Sequence, residues 1–464
     1  MPFLPPRLTP LLLAAALAPS LAGCGSLRPD RALAVAPALV SHQLCSAVFV
    51  AGLEPDSYFR EALAPDLSFL KPLERHSIDH AKGEVTASLG PFKATAVHRG
   101  AEGCLIARGK VAPPVALPPP VAALAPPIAG DGVVTPTDPA LAAALDRAFA
   151  EPDEGPRDFT KAVVILKDGR VIAERYAPGI GPDTPLHGWS MTKSVTNALL
   201  GVLVQQGRLK MDQPAPIPAW AAAGDPRHAI TPDSLLRMAS GLKFGSSLSQ
   251  TWTTAFDPTA QMVFARDDMA AMAQAAPVEA APGARFQYSN GNTLLLSAII
   301  RDAAGGDGAS VTRFAHAQLF DKLGMTRPVL ELDAVGTPIG ASHMWATARD
   351  WARFGALYAD DGVVGGERLL PKGWVDYSAR LTPGSEAFGY GAGFWTNRGV
   401  SGLPAQRRAG MGAGSFMARG SLGQFVVVVP EARLVVVRLG ISHTPTEYIG
   451  QMNRLVADAL AATR

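Results

Sequence analysis

A hydroxyl and an amine three residues apart, Ser190 and Lys193 in the run Gly188-Trp189-Ser190-Met191-Thr192-Lys193-Ser194, open the mostly apolar segment 195–209. On a helix, positions i and i+3 share a face, so Lys193 can reach the Ser190 hydroxyl. A serine is a weak nucleophile until a neighbour takes its proton. A lysine set among Val195, Ala198, Leu199, Val202 and Leu203 loses the solvation that keeps it charged, and can take that role. Spacing alone does not carry the reading: Ser68 to Lys71 and Ser240 to Lys243 repeat the S-x-x-K string, and serine is also a preferred helix cap. Ser240 precedes Gly241 and reads as a capping turn. Only Ser190 leads a helix that a large domain would bury.

Two further segments could complete this chemistry. In Tyr288-Ser289-Asn290, residues i and i+2 of an extended stretch face the same way, so a phenol and an amide could point together into a cleft. The phenol becomes a usable base beside an ammonium such as Lys193, and Asn290 could hold that lysine. In 416–424, a strand edge carrying Gly420 turns at Ser421. Acyl transfer needs backbone N–H groups aimed at the developing oxyanion, each worth roughly 3–4 kcal/mol, and those of Ser190 and Ser421 are the candidates.

These residues need a scaffold. Strands at 162–166 and 171–176 flank Asp168-Gly169, a strong hairpin signal. Helices are expected from Thr231-Pro232 to Gly241, over 292–304, and over 347–358 with Trp351, Phe354 and Leu357 at helical spacing. Strands return at 390–395, 415–419, 425–429 and 433–439. Thr444-Pro445-Thr446-Glu447 then reads as a capping box before a helix with Ile449, Met452, Leu455, Val456 and Leu460 on one face. Strands at both ends of the region with helices between them predict an α/β (α+β) fold: an antiparallel sheet packed between helices, plus a mostly helical lobe.

With 464 residues, 48% hydrophobic and 18% charged, the chain can bury a large core, and a net charge of +2 offers no stripe for nucleic acid. Residues 1–24 read as an export signal, ending in Leu21-Ala22-Gly23-Cys24. That tetrapeptide resembles the bacterial lipobox, which implies a lipid on Cys24 and a membrane tether; cleavage near Ala22 as an ordinary signal peptide is the alternative. Gly25 rather than Asp follows, resembling the outer-membrane sorting pattern and implying the periplasmic face of that membrane. Residues 32–110 read as a small accessory α+β domain, with strands at 46–50 and 84–89, a short helix at 56–63, and Cys45 and Cys104 able to pair. His76 and His80 lack a third ligand, so no metal is expected. Residues 111–137 are a proline-rich linker or strap, and 138–464 the catalytic region.

Together S-M-T-K at 190–193, Y-S-N at 288–290 and the glycine-bearing strand near 420 resemble the serine β-lactamase and penicillin-binding superfamily. Within its class C-like branch the chain is most similar to 6-aminohexanoate-dimer hydrolases and related carboxylesterases. Supporting stretches are Leu235-Leu236-Arg237-Met238-Ala239-Ser240-Gly241-Leu242 and Ala348-Arg349-Asp350-Trp351-Ala352-Arg353-Phe354-Gly355. The resemblance implies acylation of Ser190, proton transfer shared by Lys193 and Tyr288 in an unsettled order, and no cofactor. Where relatives have K-T-G or H-T-G, this chain has Ala418-Arg419-Gly420, and Arg419 need not face the cleft. That departure favours neutral esters and linear amides over β-lactams or D-alanyl peptides as substrates. A membrane-tethered envelope protein that kept the fold without turnover is the non-enzymatic alternative. Gly188-Trp189-Ser190-Met191-Thr192 lacks the last glycine of an α/β-hydrolase elbow, and a strand rather than a helix follows the glycines at 410–414, so neither that fold nor nucleotide binding is expected.

Overall fold

In the computed structural model, which describes residues 29–65, 67, 74–245, 257–398 and 410–463, valine-rich runs far apart in sequence meet in one sheet. Its six strands are antiparallel throughout, in the order Trp395–Thr396, Phe416–Gly420, Gln424–Val429, Leu434–Gly440, Thr160–Lys167, Arg170–Tyr176. Alternation sends Val163, Ile165, Val427 and Val436 to one face, under the helices Pro139–Phe149 and Pro445–Ala462. It sends Val164, Leu166, Val426 and Val435 to the other, under the helix Ala348–Ala359. A Cβ on Gly355 would lie 2.5 Å from Val435, so glycine is what lets this helix lie so close to the sheet. Helices including Thr192–Gln205, Pro232–Leu236 and Asn290–Ala304 build the lobe beside the sheet. The expected architecture is therefore the observed one, and the Asp168-Gly169 hairpin forms with both residues at positive φ, as a tight two-residue turn requires.

Ahead of this body, strands Glu74–Asp79, Glu84–Leu89, Phe92–His98 and Cys104–Ala107 make a four-stranded antiparallel sheet against the helix Pro29–Cys45. This segment is built into the main core: Val35, Ala38 and Ile106 pack in one cluster with the helix Thr192–Gln205, and Cys45 and Cys104 share a second with Trp345, Leu422 and Ile441. The two cysteines are joined in a disulfide 59 positions apart. A loop of that length contributes roughly 4 kcal/mol in the chain-entropy picture. Replacing both cysteines by alanine is therefore expected to lower the urea midpoint measurably; an unchanged midpoint would show that the bridge does not constrain the unfolded chain. The proline-rich stretch is a strap, tied down by Val121 N–H to Asp321 Oδ2 (3.1 Å) and Leu124 N–H to the Lys322 carbonyl (2.9 Å).

Four local expectations fail. Residues 46–50 are a wide helical turn continuing the N-terminal helix, not a strand, because Ala47, Val50 and Ala51, at i, i+3 and i+4, are buried together in the disulfide cluster, and that tertiary demand overrides β propensity. Residues 390–395 hold only a bridge between Tyr390 and Trp395, since Gly389 and Gly393 turn the chain at positive φ. The capping box at Thr444 does not form: Thr444 sits at ψ 91°, against 158° and 159° at the working caps Thr231 and Thr347, and its hydroxyl misses the helix amides. The short helix after Thr231 stops at Leu236, ahead of Met238 at φ 60°. Residues 1–24, with Cys24, and the Ser68 to Lys71 string lie outside the described residues. Among the described residues, no helix is long and apolar enough to cross a membrane.

Candidate active site

Ser190 sits in a single tight turn, Trp189–Met191, that runs directly into the helix Thr192–Gln205. The preceding Trp189 has φ 47°, a left-handed conformation that an aromatic residue adopts only when its surroundings enforce it. The enforcement is visible. Gly188 N–H donates to the Met344 carbonyl at 2.8 Å, and the Thr192 hydroxyl donates to the Trp189 carbonyl at 2.6 Å. The sheet edge closes on this turn from the other side, where a Cβ on Gly420 would fall 2.2 Å from the Gly188 carbonyl. Only glycine permits that approach, and it brings Ser421 to the same cleft as Ser190.

Lys193 Nζ donates to Ser190 Oγ at 3.2 Å, to Asn290 Oδ1 at 2.7 Å and to the Ala341 carbonyl at 2.8 Å. The residue is 1% exposed, and among the described residues no carboxylate pairs with it. Burial alone pulls its pKa from 10.5 down to about 7. Tyr288 packs edge-on to Tyr390 and tilted against Trp395, with Lys193 Nζ 4.8 Å from its ring centre. Burial pushes the phenol up to about 12; its hydrogen bond to Ser190 and the nearby Arg419 pull the other way and lose. The lysine meets the tyrosine at its ring face, so the ammonium effect expected on the phenol does not prevail. Asn290 begins its helix just after the cap Ser289, which fixes its amide against the lysine.

Ser190, Lys193, Tyr288, Asn290 and Ser421 thus converge, and all but Lys193 line one cleft of about 430 Å³. The other described S-x-x-K string goes elsewhere: Ser240 donates to Asn292 Oδ1 at 2.6 Å, and Lys243 pairs with Glu279 at 2.7 Å. Arg419 needs a correction, since it does line the cleft. Its guanidinium lies 5.3 Å from the Trp395 ring and 5.9 Å from that of Tyr448, two aromatics that draw it to the rim where the strand ends. The Ala341 carbonyl and Ser342 escaped the sequence reading. A backbone acceptor has no residue signature, and Ser342 lies far from every motif.

His76 and His80 part company, His76 lying 5.0 Å from the Phe59 ring and His80 5.6 Å from that of Phe49. Among the described residues, a different trio with metal-type side chains meets at the buried seam, His42, Glu331 and His343. Its members are already engaged: Glu331 Oε1 accepts from Ser46 Oγ at 2.6 Å and from Cys104 N–H at 2.9 Å, and His42 Nε2 lies 2.9 Å from the Cys104 carbonyl.

A buried lysine bonded to a serine at a helix start, facing a tyrosine and a glycine-bearing sheet edge, on an antiparallel sheet between helices, defines a protein of the β-lactamase and transpeptidase fold. The chain belongs to the Beta-lactamase family, whose family model matches residues 145–461. The 6-aminohexanoate-dimer hydrolase of Paenarthrobacter ureafaciens is 28% identical over 228 residues, covering 47% of this chain and 56% of that relative, little more than half its length. Among solved structures, EstCE1, a hydrolase with promiscuous acyltransferase activity, has a TM-score of 0.54 at 18% identity, over 68% of this chain and 98% of that one. A penicillin-binding protein homologue from Caulobacter crescentus has a TM-score of 0.51 at 20% identity, over 71% of this chain and 100% of that one. At such identities the structures speak for the fold alone.

Proposed function

We propose that the protein is a serine hydrolase that cleaves carboxylic ester or linear amide bonds through an acyl-enzyme on Ser190. The observation that carries this reading is the burial of Lys193 beside Ser190, which leaves an amine with a pKa of about 7 one hydrogen bond from an alcohol. Ser190 Oγ attacks the carbonyl carbon while its proton passes to neutral Lys193. The resulting oxyanion faces the N–H groups of Ser190 and Ser421. The tetrahedral centre then expels the alcohol or amine, which takes the one proton Lys193 received; where the Tyr288 hydroxyl hands a proton to the leaving atom, Lys193 replaces it, so both groups are neutral again before water enters. Water repeats the sequence and releases the acid. Asn290 and the Ala341 carbonyl hold the lysine for both half-reactions.

Arg419 gives the cleft a cation that the Ala-Arg-Gly substitution seemed to remove, so the β-lactamase or D-alanyl-peptidase reading stays as a second one. A panel on one preparation lacking residues 1–24 separates the readings. Short p-nitrophenyl esters and aminohexanoate dimer are expected to turn over at least about tenfold faster than nitrocefin, a margin that one charge-assisted contact can supply. Turnover of nitrocefin alone would favour the second reading, and turnover of nothing the non-catalytic envelope protein. We also propose that Cys24 carries lipid and tethers the protein at the outer membrane's periplasmic face, on the strength of Leu21-Ala22-Gly23-Cys24. Palmitate labelling should disappear in Cys24→Ala; labelling that persists would remove the anchor.

A further inference from the structure

Ser342 lines the same cleft as Ser190 and Tyr288, yet the reaction as written gives it no task. Its hydroxyl ends a buried chain of hydrogen bonds that starts in the N-terminal segment. Tyr58 Oη lies 3.0 Å from Gln43 Oε1, Gln43 Nε2 lies 3.3 Å from His343 Nε2, and His343 Nδ1 lies 2.7 Å from Ser342 Oγ. All four residues are buried.

Donor and acceptor counting fixes the direction of this chain. Tyr58 is a buried phenol whose hydroxyl has Gln43 as its hydrogen-bond partner among the described residues, so it donates to Gln43 Oε1. With the amide oxygen occupied on that side, the Gln43 N–H faces His343 Nε2 and donates to it. A ring nitrogen that accepts carries no proton, so neutral His343 holds its hydrogen on Nδ1 and donates to Ser342 Oγ. The reverse arrangement, with Ser342 donating to the imidazole, would turn the Gln43 amide around and strand the Tyr58 O–H without an acceptor. Burial, with His42 and His187 close by, holds His343 far below the ordinary histidine range, so it remains the neutral partner this direction requires. The Ser342 oxygen is therefore already an acceptor, and its own proton is free to turn toward the cleft.

The backbone around Ser342 is pinned as firmly. Its carbonyl lies 2.8 Å from His187 Nε2, just before the Ser190 turn, and the carbonyl of the preceding Ala341 accepts from Lys193. We propose that Ser342 is a substrate-binding hydrogen-bond donor of the Ser190 cleft, oriented by the relay Tyr58, Gln43 and His343 from the N-terminal segment. The inference rests on the hydrolase reading above, adding a substrate contact to it and giving the N-terminal segment a part in the reaction.

A double-mutant cycle on the full-length protein tests it, with kcat and KM measured on a p-nitrophenyl ester. Ser342→Ala is expected to lower kcat/KM about tenfold, mostly through KM, as loss of one substrate hydrogen bond would. Gln43→Leu should lower it about threefold with Ser342 present and not at all in the Ser342→Ala background, because Gln43 acts only through that hydroxyl. Tyr58→Phe keeps the ring and loses only the donor, so it takes the place of Gln43→Leu should that variant fail to fold. Multiplying effects in the double variant would overturn the relay, and unchanged kinetics in Ser342→Ala would overturn the substrate contact. A fluorophosphonate adduct on Ser342 would mean that the hydroxyl donates to His343 and that the direction argued above is reversed. A wild-type protein inactive on every ester and amide would remove the hydrolase reading, and this inference with it; an active wild type with an unaffected Ser342→Ala removes this inference alone.

Discussion

Replacing Ser190 with alanine is expected to lower kcat/KM for a p-nitrophenyl ester by roughly four to six powers of ten, leaving only what the cleft achieves by binding and polarising the carbonyl. The loss should be this large because, among the described residues, Ser190 carries the one hydroxyl that Lys193 Nζ is bonded to. Thr192 Oγ1 is committed to the Trp189 carbonyl, Ser289 Oγ caps the helix at Asn292, and Ser342 Oγ is held by His343. Among these, only the Ser190 hydroxyl meets Lys193. Stability should move by no more than about 1–2 kcal/mol, since Ser190 is part-exposed and the change removes its hydrogen bonds to Lys193 and Tyr288 but no apolar side chain. The measurement pairs steady-state kinetics with intact-mass analysis after fluorophosphonate exposure. A Ser190→Ala protein that still takes the label and turns over at the parent rate would sink the nucleophile assignment.

Lys193→Met is the second large effect, and it should separate activity from stability. Losing the general base is expected to cost roughly 10²- to 10⁴-fold in kcat/KM. The fold should tolerate the change, for reasons that can be weighed. With a folded pKa of about 7 against 10.5 when unfolded, Lys193 binds fewer protons in the native state throughout that interval. Its contribution therefore disfavours folding by roughly 4–5 kcal/mol below pH 7, and that penalty fades as pH rises toward 10.5. Methionine removes the penalty but leaves Asn290 Oδ1 and the Ala341 carbonyl without their donor, at roughly 1–3 kcal/mol each. The terms nearly offset, so Tm near neutral pH should shift by only a few degrees, and the comparison should move in favour of the variant as pH falls from about 10 to 7 and change little below that. In the wild type, kcat/KM should rise with pH through an inflection near 7, where the amine loses its proton, while Tyr288, at about 12, stays neutral across the range. A flat profile between pH 5 and 9 would exclude Lys193 as the first base.

Much of this was legible in the residues, for physical reasons that also explain the misses. Ser190 and Lys193 announced themselves because a helical spacing and an apolar run are local properties, and the valine strands did so because a doubly covered sheet demands them. Tyr288 and Asn290 were readable as a pair, but the balance at Tyr288 was not: burial beats the Ser190 hydrogen bond and the charge of Arg419, and the rings of Tyr390 and Trp395 that pack on it arrive from about a hundred residues away. Arg419 was misjudged for the same reason, since the rim aromatics Trp395 and Tyr448 decide where a long side chain settles. At 46–50 a β-rich pentapeptide became helical because a disulfide partner far along the chain fixed which side had to be buried.

The helix and four-stranded sheet ahead of the family match have a bearing on where anyone should cut the gene. A clone trimmed to 145–461 would keep Ser190, Lys193 and Tyr288, but it would strip Val35, Ala38 and Ile106 from the interior and uncover Trp345 and Ile441. It would also leave Glu331 without the Ser46 hydroxyl and the Cys104 amide that accommodate its charge. The matched span thus omits residues that pack into the same interior, and a shortened version is expected to keep the parent's stability only if it begins upstream of Cys45.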